Sequence, residues 1–201
     1  MPDRNQWNAA AVRLFDDISS FVLTGSRKCD DWREDVLAVF AGEVEDPRGW
    51  IEFDSKREWS EHYGIAGDRY FPFRSLTVDY LKENLYPVEP ESAAGLLVVM
   101  LDEWFSPEGV RNLAERKDSL VADARTLISR YGPDGAFYTS ACIARTARCH
   151  DFLAPPPAGQ TYGGASFSEF MYGDLGLVAV SDTEAGVFWA FNAGGDVNVR
   201  R

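Results

Sequence analysis

The chain has 201 residues, of which 45% are hydrophobic and 13% aromatic, and it carries a formal net charge of −12. This length and apolar content are enough for one buried core, so we expect a single globular domain over residues 1–201. The longest apolar run, residues 93–101, is far shorter than the roughly 20 residues of a membrane-spanning helix, which argues against a membrane protein. The opening residues lack the basic and apolar regions of a secretory signal, so we predict a cytoplasmic location.

The negative charge is uneven along the chain. From Cys149 to Val199 there are six acidic residues and no Lys or Arg, whereas residues 106–150 hold seven basic and five acidic side chains. Nucleic-acid binding needs a basic footprint that displaces counterions, and only residues 106–150 offer one, so the charge argues against a nucleic-acid ligand. It favours a basic protein partner, with solubility as the competing explanation. Arg outnumbers Lys, a usage typical of GC-rich bacterial genes or their phages.

Two helices, a strand and one open choice are predicted in the first third of the chain. Apolar residues repeat at helical spacing from Arg4 to Leu23, with Gly25 just past the end, which predicts an amphipathic helix. Asp31 is a good N-cap for a following helix, but the VLAVF run there suits a strand equally well, so both remain open. Residues 49–53 are typical of a short strand, and the capping box at residues 55–58 predicts a short helix after it.

Three helices are predicted in the middle of the chain. Ser75 caps a first helix that ends before Pro87. The segment after Ser92 is apolar nearly all round, which predicts a buried helix or, as the alternative, a central strand. The third helix has the clearest signals. Ser106 as N-cap, the proline after it and a Gly-Pro pair at the far end predict a helix from 107 to 131.

The last third combines an ambiguous segment, a loop and a set of strands. Residues 136–153 fit a strand at their start or a helix throughout, and we favour the helix because the aromatic and cysteine side chains would then share one face. Residues 155–166 form a Gly- and Pro-rich loop that is long enough to be functional or mobile. Strands are predicted over about residues 175–181, 186–192 and 196–200.

The first two of these strands are apolar on both faces. In the second strand, the side chains of Val187, Trp189 and Phe191 point away from those of Phe188 and Ala190. Both faces therefore need cover, either from two helical layers or from one layer and a partner chain, which includes a homo-oligomer formed through the hairpin. The elements together predict an α+β fold, in which a helix-rich N-terminal two-thirds packs on a small C-terminal antiparallel sheet.

The candidate catalytic and metal-binding sets are weak. Cys149, His150 and Asp151 are adjacent, so their side chains diverge on either a helix or a strand and do not readily exchange a proton. The three cysteines lack the spacing of a zinc hook or a disulfide framework. The TYGGAS run has two glycines but no phosphate-binding lysine. We therefore predict no catalytic residue, no metal site and no cofactor.

An acidic, aromatic-rich chain without a catalytic motif suits a non-catalytic protein-binding role, for instance an immunity protein that occludes a basic nuclease-like toxin. The residues that we assign to binding are acids and aromatics at the ends of elements; they are Asp102, Glu103, Trp104, Tyr162, Asp182 and Glu184. The alternative is a small cytoplasmic hydrolase or transferase whose site lies in the 155–166 loop beside the C-terminal sheet.

Overall fold

The computed structural model describes residues 3–15, 20–41, 73–157, 162–168 and 173–192. The predicted strands at 49–53 and 196–200, and the helix predicted from the capping box at 55–58, lie outside these ranges.

Within the described residues, helices and strands are mixed along the chain. The helices are α1 (Arg4–Leu14), α2 (Trp32–Phe40), α3 (Val78–Asn84), α4 (Pro90–Val99) and α5 (Leu113–Ser129). The strands are β1 (Ser20–Ser26), β2 (Tyr86–Val88), β3 (Ala136–Thr139), β4 (Gly173–Val180) and β5 (Glu184–Asn192), and a short 3-10 helix spans Cys142–Arg145.

Short polar side chains begin two of the helices. Asp31 accepts a hydrogen bond from the backbone N–H of Arg33 and caps α2, so the segment that the sequence left open is a helix. Thr77, rather than the predicted Ser75, caps α3 by accepting from the backbone N–H of Tyr80 at 3.1 Å. The apolar segment that follows β2 is a helix as predicted, and α4 is buried along nearly its whole length.

The described strands form one antiparallel sheet in the order β1-β5-β4-β3-β2. The β4–β5 hairpin lies in the centre, and the α+β prediction is confirmed. The sheet also takes β1 and β2 from the first two-thirds of the chain and β3 from the residues just after it. The edge strand β2 has only three residues, with Pro87 in the middle opposite Tyr138.

Each face of the central hairpin is covered by the chain's own helices. Phe188 and Ala190 of β5 lie in a first core with side chains of α1, α4 and α5. Val187, Trp189 and Phe191 lie in a second core with side chains of α2 and α3. The predicted alternation is confirmed, and of the two predicted kinds of cover the structure shows the two helical layers, so the hairpin no longer gives a reason to expect a homo-oligomer.

The first predicted helix, Arg4 to Leu23, is wrong beyond Leu14. There α1 ends, and residues 20–26 form β1, with Phe21 opposite Trp189 of β5. The sheet offers these residues a strand partner and a buried apolar environment, and this tertiary gain overrides the helical spacing of the sequence.

The helix predicted from 107 to 131 begins later, at Leu113. Asn112 just before it has a φ of 53°, a left-handed backbone conformation through which a right-handed helix does not continue. Residues 107–112 form turns instead. The proline that follows Ser106 therefore opens a loop and not the helix.

The helix predicted for residues 136–153 is also wrong. The first four residues form β3, with Phe137 in the first core and Tyr138 packed against the second. Pairing with β4 satisfies the backbone of this segment, and the alternation of buried side chains is that of a strand. Only the short 3-10 helix follows it.

Candidate functional site

The connection between α4 and α5, residues 101–112, is called the Trp104 loop below. A single aspartate shapes its first turn. The Asp102 carboxylate accepts hydrogen bonds from the backbone N–H groups of Trp104 at 3.1 Å and Ser106 at 3.0 Å, and its backbone carbonyl accepts from the N–H of Phe105 at 3.0 Å. This aspartate therefore fixes the direction of the chain on both sides of the aromatic pair.

Phe105 adopts a strained backbone conformation. Its φ is 56°, which is uncommon for a residue with a large side chain and costs on the order of 1–3 kcal/mol. The ring of Phe105 is buried in the first core, close to Gly173 at the start of β4. Because Phe105 turns inward here, the neighbouring Trp104 turns outward.

The close approach of Gly109 to Asp102 is a second constraint on the loop. Gly109 lies so close to the Asp102 carboxylate that a Cβ atom on this glycine would overlap the carboxylate oxygens. The requirement is for space and not for a positive φ. Three residues therefore shape the loop. Phe105 has the strained backbone, Asp102 accepts the hydrogen bonds, and Gly109 leaves space for the Asp102 carboxylate.

Trp104 is exposed to an unusual degree for a tryptophan. Its relative exposure is 67%, and Val12 on α1, at 47%, is the other large apolar residue of the described part of the chain that is classed as exposed. Trp7 and Trp189 are buried, and Trp32 is half-buried. Tryptophan in the fully buried centre of an interface is a frequent anchor of protein binding.

The surroundings of Trp104 are acidic. The Trp104 loop contains Asp102, Glu103 and Glu108 against one basic residue, Arg111. Glu103 and Glu108 are exposed, whereas Asp102 is half-buried and holds the backbone. The two glutamates therefore remain available to a positively charged group that approaches the indole.

Asp182 and Glu184 lie at the turn between β4 and β5. Asp182 is exposed, but Glu184 forms a two-point ion pair with Arg130, with distances of 2.7 and 2.8 Å from its carboxylate oxygens to Nε and Nη2. This hydrogen bonding raises the pKa of Arg130. Glu184 thus ties the hairpin turn to the end of α5, a structural role that leaves Asp182 as the freer of the two acids.

The six predicted binding residues do not form one surface. Phe105 places the Trp104 loop beside Gly173, at the first residue of β4, whereas Asp182 follows Val180, at its last residue. A strand of eight residues separates its two ends by about 23 Å. The structure brings together Asp102, Glu103 and Trp104 and leaves the hairpin acids at the far end of the sheet.

Tyr162 is buried and belongs to a small aromatic cluster. Its ring packs edge to face with Phe152 and His150, and its hydroxyl meets the carbonyl oxygen of Ala154 and lies 3.3 Å from His150 Nε2. Burial raises the pKa of the Tyr162 hydroxyl. His150 therefore faces Tyr162 through Nε2, while its neighbour Cys149 is exposed.

Asp174 is the residue whose role the sequence analysis missed. Its buried carboxylate accepts hydrogen bonds from the backbone N–H groups of Phe167 at 2.8 Å and Ser168 at 2.9 Å, from Ser166 Oγ at 3.0 Å and from Trp189 Nε1 at 3.1 Å. Burial raises the pKa of the Asp174 carboxyl, and the donated hydrogen bonds oppose that rise. The available signal was a single acid inside an apolar strand.

Comparisons of the chain with family models, with curated proteins and with solved structures find no match. Among the described helices, none combines the length and the apolar character needed to cross a membrane. Within the same residues, no group of three or more His, Cys, Asp and Glu side chains is arranged to hold a metal ion. The Trp104 loop carries the most exposed large apolar side chain of the described residues.

Proposed function

We propose that this protein is a non-catalytic binding protein that holds a basic protein partner through the Trp104 loop. The observation that carries the proposal is the 67% exposure of Trp104 on a loop whose backbone is strained at Phe105. An indole in water contributes little to folding, whereas the same indole buried in an interface is among the strongest anchors of association.

The charge of the chain supports a basic partner. The formal net charge is −12, and the Trp104 loop holds three acidic residues against one arginine. Complementary charge speeds encounter with a basic protein and disfavours acidic competitors, while the apolar anchor supplies the longer-lived contact. Added salt should therefore lower the association rate of such a partner more than it raises the dissociation rate.

The specific form that we favour is an inhibitor, such as an immunity protein that occludes a basic nuclease-like toxin in the cytoplasm of a bacterium. A toxin that acts on nucleic acid needs a basic surface, and an acidic inhibitor covers such a surface directly. Occlusion requires an anchor and complementary charge on the inhibitor, and the Trp104 loop carries an exposed indole and three acidic residues.

Affinity capture with matched variants tests the proposal. Tagged wild-type protein, Trp104→Ala and Val12→Ala are used to capture proteins from the native lysate at low and high salt, and eluted complexes are weighed by native mass spectrometry. We expect one stoichiometric basic protein with wild type and Val12→Ala at low salt, and at least a tenfold lower yield with Trp104→Ala. Equal yields with all three proteins, or no basic protein with any of them, would refute the proposal.

A further inference from the structure

Two tryptophans of the described chain belong to the same kind of three-part set. The guanidinium carbon of Arg130 lies 4.8 Å from the ring centre of Trp7, and Arg130 is paired with Glu184 at 2.7 Å. The second set has the same composition, and its members are Trp32, Arg33 at 4.3 Å from the ring centre and Asp31 at 3.0 Å from the guanidinium.

The physical basis of these sets is general. The face of an indole ring is negative and attracts a cation, and the guanidinium group is planar and weakly hydrated, so it lies over the ring while its N–H groups reach a carboxylate. The aromatic ring and the carboxylate thus hold the same arginine from two sides. In each set, one arginine receives both contacts.

Trp104 has two of the three parts. Glu103 and Glu108 are exposed acids of the same loop, one residue before and four residues after Trp104, and the indole ring is open to solvent. Among the described residues, no cation and no second aromatic ring contacts the ring of Trp104. The missing part is therefore the arginine.

We infer that the Trp104 loop is a receptor for an arginine side chain of the partner, which lies over the Trp104 indole and pairs with Glu103 or Glu108. This inference rests on the proposed function and specifies the group that the partner contributes. Arginine fits better than lysine, because the compact lysine ammonium is strongly hydrated and has no planar face to stack on the ring.

Nuclear magnetic resonance of the indole N–H groups tests the inference on the full chain without knowledge of the partner. The protein is labelled with 15N-tryptophan and titrated with three capped tripeptides, namely tri-arginine, tri-lysine and tri-citrulline. Citrulline has nearly the shape of arginine without its charge. The Trp104 signal is assigned from its absence in Trp104→Phe.

We expect tri-arginine to shift the Trp104 signal saturably, tri-lysine to bind about two- to fivefold more weakly and tri-citrulline to leave the signal in place. The double variant Glu103→Gln/Glu108→Gln should weaken tri-arginine binding by a similar factor or more. Glu83→Gln, which removes an exposed glutamate of α3, is the matched control and should leave it unchanged.

Two results overturn the inference. One is a Trp104 signal that tri-arginine does not move, and the other is an equal response to tri-arginine and to either of the other peptides. Neither result bears on capture of a partner. If Trp104→Ala abolishes capture but the peptides do not bind, the proposed binding function stands and the arginine receptor is wrong. If tri-arginine binds but no partner is captured, the arginine receptor stands and the proposed function is wrong.

Discussion

Two aspartates of this protein each shape a loop beside a tryptophan, one inside the molecule and one at its surface. Asp174 accepts two backbone N–H groups, a serine hydroxyl and the indole N–H of Trp189, and both residues are buried. Asp102 also accepts two backbone N–H groups, but its loop directs Trp104 into solvent. Similar backbone hydrogen bonding by an aspartate therefore accompanies a buried indole in one loop and an exposed indole in the other.

The two tryptophans differ in how much they contribute to the stability of the fold. Trp189 packs in the second core and gives its one polar hydrogen to Asp174, so the interior pair contributes to stability. Trp104 is 67% exposed and contributes little buried area, and its loop includes the strained residue Phe105. The strained backbone at Phe105 places that residue's own ring in the first core and leaves the indole of Trp104 outside it, and backbone strain of this kind is frequent at binding sites.

The largest effect is expected from truncating the two tryptophans. Trp189→Ala leaves a cavity in the second core and an unfilled acceptor on Asp174, and should lower the free energy of unfolding by about 4 kcal/mol. Trp104→Ala should change it by no more than about 0.5 kcal/mol. Urea unfolding of the two variants beside wild type measures both values. A large loss of stability in Trp104→Ala would mean that this residue has a structural role and would weaken the binding proposal.

An intermediate effect is expected from changing each aspartate to asparagine. Asp174→Asn keeps the size but turns an amide N–H₂ toward donors in a buried site, so it should lower the free energy of unfolding by about 3 kcal/mol. Asp102→Asn acts in a half-buried site where water replaces the lost acceptor, and about 1 kcal/mol is expected. Chemical unfolding at neutral pH distinguishes the two. Equal losses would show that burial does not set the difference between the two loops.

The smallest effect expected is a pH dependence of the free energy of unfolding that comes from the buried Asp174. Because burial raises the pKa of the Asp174 carboxyl, the folded protein holds this proton at pH values where the unfolded chain has lost it. The part of the stability that is linked to this proton is present below the unfolded pKa and is lost as the pH rises through the folded pKa. Wild type should therefore gain stability relative to Asp174→Asn as the pH falls from 7 toward 4.

Subtraction of the two unfolding curves isolates Asp174, because the variant retains every other titrating group. The opposite slope, with wild type losing its advantage in acid, would show that the donated hydrogen bonds outweigh burial at this carboxylate.

Patterns that depend on neighbouring residues were predictable from the sequence. The alternation of Trp189 and Phe188 to opposite faces follows from strand geometry, and the cap at Asp31 follows from local hydrogen bonding. The start of α5 was not predictable in this way. Ser106 does accept a hydrogen bond from the N–H of Glu108, as at a helix start, but Phe105 is drawn into the core and the chain turns again before the helix begins.

The candidate site was predictable only in part, for the same reason. Asp102, Glu103 and Trp104 are neighbours in sequence and stay together, but the exposure of Trp104 depends on the burial of Phe105, which is a tertiary contact. Glu184 was grouped with them as an acid, yet its partner Arg130 is 54 residues away, and no local pattern links the two. The role of Asp174 likewise depends on its hydrogen bonds with residues 166–168, which no local pattern indicates.

The shortness of the edge strand β2 affects how readily the protein aggregates at high concentration. An open strand edge invites further strands from other copies, and this is how many proteins begin to aggregate. Pro87 has no N–H to offer to an incoming strand, and three residues give little length for pairing. Concentrated samples of this chain are therefore protected at this edge from growing into fibrils.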